Sequence, residues 1–84
     1  MMKFENPALT DHCMEQCVYH MIVMDWLYET CEAPDNIIEL KDKRVLVSKR
    51  ILGQVVNVVL DLKRKRPKMV TAYVTNDLVY LGRN

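Results

Sequence analysis

The N-terminal part of the chain repeats its apolar side chains with the period of an α-helix. Over residues 9–21, one arc of about 140° holds the apolar side chains, which are Cys13, Met14, Cys17, Val18 and Met21. Over residues 23–33, the matching stripe consists of Met24, Leu27, Tyr28 and Cys31. Thr10 can cap the first helix, and Pro34 ends the second because its ring disfavours helical geometry in the preceding residue. The pattern therefore predicts a helical hairpin over residues 9–33.

From residue 36 onward the chain changes to the period of β-strands. The predicted strands cover residues 36–40, 43–52, 55–62 and 69–75, with a final edge strand over 78–81. Gly53 and Gln54 mark a tight hairpin, and Pro67 supports a turn in the charged loop before the fourth strand. We expect an α+β fold, with two N-terminal helices packed on one face of a three- to five-stranded antiparallel sheet. It forms a single domain over residues 1–84, in which 1–8 are an N-terminal arm and 36–81 an antiparallel meander.

The composition narrows the classes of protein to which the chain can belong. Half of the 84 residues are apolar and 27% are charged, as is typical of a globular domain. The chain has two glycines and no GxGxxG or GxxxxGK(S/T) pattern, which excludes the phosphate loops of most nucleotide-cofactor enzymes. No apolar run reaches the length of a membrane span, and the N-terminus lacks the pattern of a signal peptide. We expect a cytoplasmic protein that uses no cofactor and does not engage a membrane.

The formal net charge of +1 conceals an uneven distribution. Residues 1–40 carry one cation and eight acids (1 − 8 = −7), whereas residues 41–84 carry eleven cations and three acids (11 − 3 = +8). Such asymmetry is typical of a protein with a polyanion-binding face. It fits equally well an attraction between the two halves of one fold, or a homodimer in which opposite halves of two copies meet.

The three cysteines are an odd number and do not form a disulfide framework, which favours a reducing compartment. Cys13, Cys17 and His20 share one side of the first helix, and Cys31 is available from the second. Zinc requires four such ligands, but the spacing matches no zinc signature. We therefore predict no metal site and interpret the cysteines as small buried apolar residues.

Several short motifs occur in the order and spacing of a known family. They are His12, Glu15, Gln16, His20, Met21 and Ile22, then Pro34-Asp35, Arg44, Arg50, Gly53, Val58-Val59-Leu60-Asp61 and Val70-Thr71-Ala72-Tyr73. Over residues 10–76 the chain resembles a small prokaryotic and phage family, filed as a domain of unknown function and related to BrnT- and RelE-like toxins. The resemblance implies a RelE-like fold and a metal-independent endoribonuclease or an RNA-binding protein.

The chain departs from that family in its first helix. Gln16 and His20 stand where the family usually has arginines, and Met21 stands where it usually has glycine. These departures favour, more than the family alone does, an alternative in which a non-catalytic phage or prokaryotic binding or inhibitor protein uses the same scaffold. Its partner is then a protein or nucleoprotein, such as an antitoxin or a target, rather than an RNA to be cut.

Cleavage of RNA without a metal requires a base, an acid and cations that stabilise the pentavalent phosphate. The candidates for proton transfer are His12, His20 and Tyr73, and those for phosphate stabilisation are Arg44, Arg50 and Lys49. Arg44 and Arg50 share one strand face but lie ~20 Å apart, so they cannot hold one phosphate together. Arg50, next to the hairpin turn, is the preferred candidate. The alternative for these residues is an ordinary position on the solvated surface, without a catalytic role.

The densest positive charge is a run of five cations in six residues, Lys63, Arg64, Lys65, Arg66 and Lys68. Contacts from such a run to phosphates give sequence-independent, salt-sensitive binding, although a solvated hairpin tip has the same composition. Thr71 and Thr75 share a strand face with Tyr73, and we expect that face to be open. The resemblance to RelE-like proteins implies that this face contacts RNA.

The second helix carries a separate candidate surface. Trp26, flanked by Asp25 and Glu29, lies off the apolar stripe. Aromatic side chains are common anchors at protein interfaces, so this surface is the predicted contact for a basic protein partner. Partial burial of Trp26 against the sheet is the alternative.

Overall fold

Two helices and five strands form over residues 4–76, the part of the chain that the computed structural model describes. They are β1 (Ala8–Leu9), α1 (Asp11–His20), α2 (Met24–Glu32), β2 (Asn36–Glu39), β3 (Arg44–Ile51), β4 (Gln54–Asp61) and β5 (Lys68–Asn76). The α+β class and the helical hairpin are confirmed, and each helix is a little shorter than its apolar pattern. The predicted strand over 78–81 lies outside the described residues.

The sheet has the strand order β1-β5-β4-β3-β2 and is mixed rather than purely antiparallel. Strands β2 to β5 form the predicted antiparallel meander. The prediction of an all-antiparallel sheet is wrong at one edge, where Ala8 and Leu9 pair in parallel with the start of β5. The sequence places Ala8 in the N-terminal arm and Leu9 at the start of the first helix, because a two-residue strand is too short to show a period.

The β3–β4 hairpin turns one residue earlier than the sequence indicates. Ile51 pairs with Gln54, so the two-residue loop is Leu52-Gly53 rather than Gly53-Gln54. Both loop residues have positive φ, 52° for Leu52 and 79° for Gly53. This combination identifies a type I′ turn, whose twist matches that of the flanking strands. Leucine is an unusual residue in the first position of such a turn.

Both ends of α1 are held by specific hydrogen bonds. The Thr10 hydroxyl accepts from the Cys13 N–H at 3.2 Å and donates to the Met69 carbonyl at 2.6 Å, so it caps α1 and ties the helix to β5. At the other end, Ile22 N–H donates to Cys17 O at 2.8 Å and Met21 N–H to Val18 O at 3.2 Å. Met21 has a left-handed backbone (φ 57°), which completes a Schellman motif.

Both helices pack on one face of the sheet, as predicted. The core joins apolar and thiol side chains of α1 and α2 to those of β3, β4 and β5, namely Cys13, Cys17, Leu27, Cys31, Val45, Val47, Val56, Val58, Leu60, Met69 and Ala72. Helix α1 lies over β5, and α2 over β3 and β4. Phe4 and Ile22 complete this core.

The apolar arc predicted for α1 is only partly buried. Cys13 and Cys17 lie in the core, whereas Met14, Val18 and Met21 are exposed. Helix α1 packs mainly on β5, near one edge of the sheet, so one end of its apolar arc meets the strands and the other end, called the flank, does not. The flank therefore remains an apolar surface.

Candidate nucleic-acid interface

Most of the positive charge of the described residues converges on one end of the sheet. The register pairs Asp61, at the end of β4, with both Arg44 at the start of β3 and Lys68 at the start of β5. The Leu62 N–H donates to Lys43 O at 2.8 Å, which holds the β2–β3 turn beside the β4–β5 loop. This end, called the basic end below, carries Lys41, Lys43, Arg44, Lys63, Arg64, Lys65, Arg66 and Lys68.

The basic end has a strong net charge. Eight of the ten cations within residues 4–76 lie there, and the other two are Lys49 and Arg50. Four acids lie at or beside it, Glu5, Glu39, Asp42 and Asp61, so its formal charge is 8 − 4 = +4. Lys41 and Lys43 were not recognised in the sequence because they are twenty residues from the cationic run, and only the sheet register brings the two segments together.

The cationic loop is fixed at both of its ends. The Lys63 N–H donates to Asp61 Oδ1 at 2.9 Å. This hydrogen bond, together with the charges of Lys63, Arg44 and Lys68, lowers the pKa of Asp61. At the other end, Arg66 donates from Nε to Asn6 O at 2.8 Å and from Nη2 to Asn6 Oδ1 at 3.4 Å. Arg66 therefore holds Asn6, and all five cations of the run are exposed.

A cleft opens at the same end of the sheet. It has a volume of about 240 Å³ and is lined by Glu39, Leu40, Lys43, Arg44, Val45 and Leu62. The Nε–H of Arg44 is buried and has no hydrogen-bond partner among the described residues. Guanidinium groups bind phosphate oxygens well, so Arg44 is suited to contact an anion at this end.

Lys49 and Arg50 lie at the opposite end of β3. The Lys49 ammonium donates to Ala33 O at 2.9 Å and lies 4.0 Å from Asp35 Oδ1, so it stabilises the C-terminal end of α2. The Arg50 backbone N–H donates to Asp35 Oδ2 at 2.8 Å. The structure thus places Lys49 in a structural contact and does not bring Arg50 together with the basic end.

The proposed catalytic residues are divided between the two sides of the sheet. His12 and His20 are both exposed on α1, which packs on one face of the sheet. Tyr73, Arg44 and Arg50 have side chains on the sheet face opposite to the helices, because they alternate with core residues such as Ala72 and Val45. The sheet therefore separates both histidines from the tyrosine and the arginines, and the five residues do not form one site.

The sheet face that carries Thr71, Tyr73 and Thr75 is the one opposite to the helices, as the alternation predicts. However, its centre is buried rather than open, with Leu46, Ser48, Val55 and Asn57 all inaccessible or nearly so. Ser48 donates to Asn57 Oδ1 at 2.7 Å, and Asn57 Nδ2 donates to Thr75 Oγ1 at 3.2 Å and to Val55 O at 3.1 Å. The expectation of an open hydroxyl-lined platform is therefore wrong at its centre.

The three thiols lie in the core and are free. Burial raises the pKa of Cys13 and of Cys31 to about 12, with a smaller contribution from neighbouring groups, and it also raises the pKa of Cys17. Such thiols are poor nucleophiles at neutral pH. Within residues 4–76, no cluster of histidine, cysteine and acidic side chains has the arrangement of a metal site.

Trp26 is half-buried and packs against the core, while Asp25 and Glu29 beside it are exposed. The Trp26 carbonyl accepts from Thr30 Oγ1 at 2.7 Å, within α2. The indole therefore contributes to the packing of α2 on the sheet, which was the alternative interpretation from the sequence.

Comparisons of the chain with protein-family models, with curated proteins and with solved structures find no match. The resemblance to BrnT- and RelE-like toxins thus stays a prediction. Neither helix of residues 4–76 is long and apolar enough to cross a membrane.

Proposed function

We propose that the protein binds RNA through the phosphate backbone at its basic end. The observation that carries the proposal is the convergence of two separate cationic segments, residues 41–44 and 63–68, on one end of the sheet. A local charge of +4 attracts a polyanion and releases its condensed counterions. The run 63–68 contains no aromatic side chain for base stacking, so the binding is independent of base sequence.

RNA is the favoured polyanion because of the resemblance to RelE- and BrnT-like proteins, and free thiols support the cytoplasmic setting that this role requires. Binding is favoured over cleavage by the placement of the candidate catalytic groups. General acid–base chemistry needs the proton-transfer groups and the phosphate-binding cations around one reacting atom. Here the histidines lie on one side of the sheet, and Tyr73, Arg44 and Arg50 on the other.

The proposal is tested by titrating a fluorescein-labelled single-stranded RNA of about 12 nucleotides with purified protein and following its anisotropy. The test variant is Lys63→Gln/Lys65→Gln, which removes two exposed charges from the basic end. The matched control is Arg50→Gln, which removes a charge from the opposite end of β3. We expect the double variant to weaken binding about tenfold at low salt and the control to change it less than twofold, since each lost phosphate contact weakens binding to every RNA sequence alike. Equal effects of the two variants would contradict the assignment of the basic end.

Cleavage is tested with the same protein and an end-labelled RNA in a chelator, read on a sequencing gel. We expect intact RNA after incubation at a protein concentration that saturates binding. Discrete cleavage that Arg50→Ala lowers more than tenfold would restore the ribonuclease hypothesis and would overturn the proposal of binding without catalysis.

A second function, the binding of a protein partner, is supported by the exposed apolar side chains of Met14, Val18 and Met21 along one side of α1.

A further inference from the structure

An apolar surface runs along α1 and across its connection to α2. It consists of Met14, Val18, Met21, Val23 and Met24, and is called the methionine patch below. Met14 and Val18 are one helical turn apart, and Met21 follows at the next turn. Val18 and Met21 are 74% and 87% exposed, so neither side chain contributes appreciably to the core. The patch is distinct from the basic end and from the Trp26 surface.

The backbone of Met21 shows that this surface is not explained by the stability of the fold. Met21 occupies the left-handed position of the Schellman motif. This conformation is strained for L residues, less so for asparagine, and is free of strain for glycine, which has no Cβ. A glycine at this position would relieve the strain, and the exposed methionine side chain makes no compensating contact in the core. The methionine at position 21 therefore does not stabilise the fold.

The negative charge around the methionine patch favours a partner with positive charge. Residues 11–33 contain five acids, Asp11, Glu15, Asp25, Glu29 and Glu32, and neither lysine nor arginine. All five are exposed. A symmetric contact between two copies through this patch would place these acids against each other, which is unfavourable. A partner with apolar side chains flanked by lysine or arginine complements both the patch and its acidic surroundings.

We propose that the methionine patch docks an amphipathic, cationic helical segment of a partner protein. The apolar side of such a helix presents anchors at positions i, i+3, i+4 and i+7, a spacing that suits a surface of the length of α1. Methionine side chains are flexible and polarisable, and they adapt to the apolar side chains of different partners. The cationic flanks of the segment then meet the acids of α1 and α2. This contact leaves the basic end available to RNA.

The test uses a labelled 14-residue peptide that repeats leucine and lysine with a helical period, and a counterpart in which glutamate replaces lysine. The test variant is Met21→Gly, and the matched control is Leu52→Gly, because Leu52 is also exposed (83%) and also has a left-handed backbone. We expect neither variant to melt below the wild type, since the strain that each removes offsets the larger conformational entropy of glycine in the unfolded chain. We expect only Met21→Gly to weaken binding of the leucine–lysine peptide, by tenfold or more.

Peptide binding is measured by anisotropy, and its position by the methyl signals of Met14, Met21 and Met24 in NMR spectra. Shifts of these signals with the leucine–lysine peptide, and none with the leucine–glutamate peptide, support the proposal. Equal affinity of wild type and Met21→Gly, or shifts confined to other residues, would overturn it. Sedimentation of the wild-type chain as a dimer that Met21→Gly dissociates would also overturn it, because the occupant would then be a second copy. RNA affinity is expected to be the same in Met21→Gly, which separates this test from that of the basic end.

Discussion

The hairpin between β3 and β4 contains a position at which one substitution should stabilise the protein. Leu52 and Gly53 form a type I′ turn, with φ angles of 52° and 79°. Asparagine is among the preferred residues at the first position of this turn because it tolerates the left-handed conformation, whereas leucine does not. Leu52 is exposed, so its replacement removes little apolar contact. The perturbation is Leu52→Asn.

The magnitude follows from the backbone conformation. A left-handed conformation costs an ordinary L residue roughly 1–2 kcal/mol, and asparagine recovers a large part of this. Asparagine restricts the unfolded chain about as much as leucine does, so the unfolded-state term that accompanies a change to glycine is absent. We therefore expect the free energy of unfolding to rise by about 1 kcal/mol. For a domain of this size, such a gain raises the melting temperature by roughly 4–8 °C.

The assay is equilibrium unfolding in urea, followed by the fluorescence of the single tryptophan, Trp26. The variant should unfold at a higher urea concentration with an unchanged slope m, because the surface exposed on unfolding is the same. Gln54→Asn, in the strand next to the turn, serves as a control that should not stabilise the protein. A midpoint for Leu52→Asn equal to or below that of the wild type would refute the turn assignment.

Two further predictions concern the interior. Ser48→Ala removes the donor to Asn57 Oδ1 and leaves a buried acceptor unsatisfied, so it should lower the free energy of unfolding by about 1–3 kcal/mol, measured in urea; a change within 0.5 kcal/mol either way would refute the importance of this hydrogen bond. The thiols of Cys13 and Cys31 ionise near their ordinary pKa of 9.0 in the unfolded chain but only near 12 in the fold. Stability should therefore fall as the pH rises from 9 towards 12, because the unfolded state binds fewer protons there. The fall should be smaller in Cys31→Ala, and an equal fall in both proteins would contradict this assignment.

The regular part of the fold could be predicted from local sequence. The helical period of residues 9–33 and the alternation of the strands gave both helices and four strands, with boundaries that differ by one or two residues. Leu52-Gly53 was missed because leucine carries no signal for a left-handed turn. The parallel strand β1 was missed because Ala8 and Leu9 are paired through tertiary contact with β5, and two residues have no period.

The candidate site shows the same division between local and long-range information. The run from Lys63 to Lys68 is visible in the sequence, but its union with Lys41, Lys43 and Arg44 depends on the register of β3 with β4. The histidines and Tyr73 are each plausible as catalytic groups by residue type, yet only the three-dimensional arrangement shows that the sheet separates them. The exposure of Val18 and Met21 depends on where α1 lies on the sheet, which helical periodicity alone does not define.

The central claim is that the basic end binds the RNA backbone, and the salt dependence of affinity tests it most directly. Association of the wild-type protein with a single-stranded RNA is measured between 50 and 200 mM salt. If the protein neutralises four or five phosphates, the logarithm of the association constant should decrease linearly with the logarithm of the salt concentration. The expected slope is about −3. The slope should be shallower by about 1–2 for Lys63→Gln/Lys65→Gln, since each removed cation removes one phosphate contact. A slope near zero, or the same slope in the wild type and the double variant, would contradict the account.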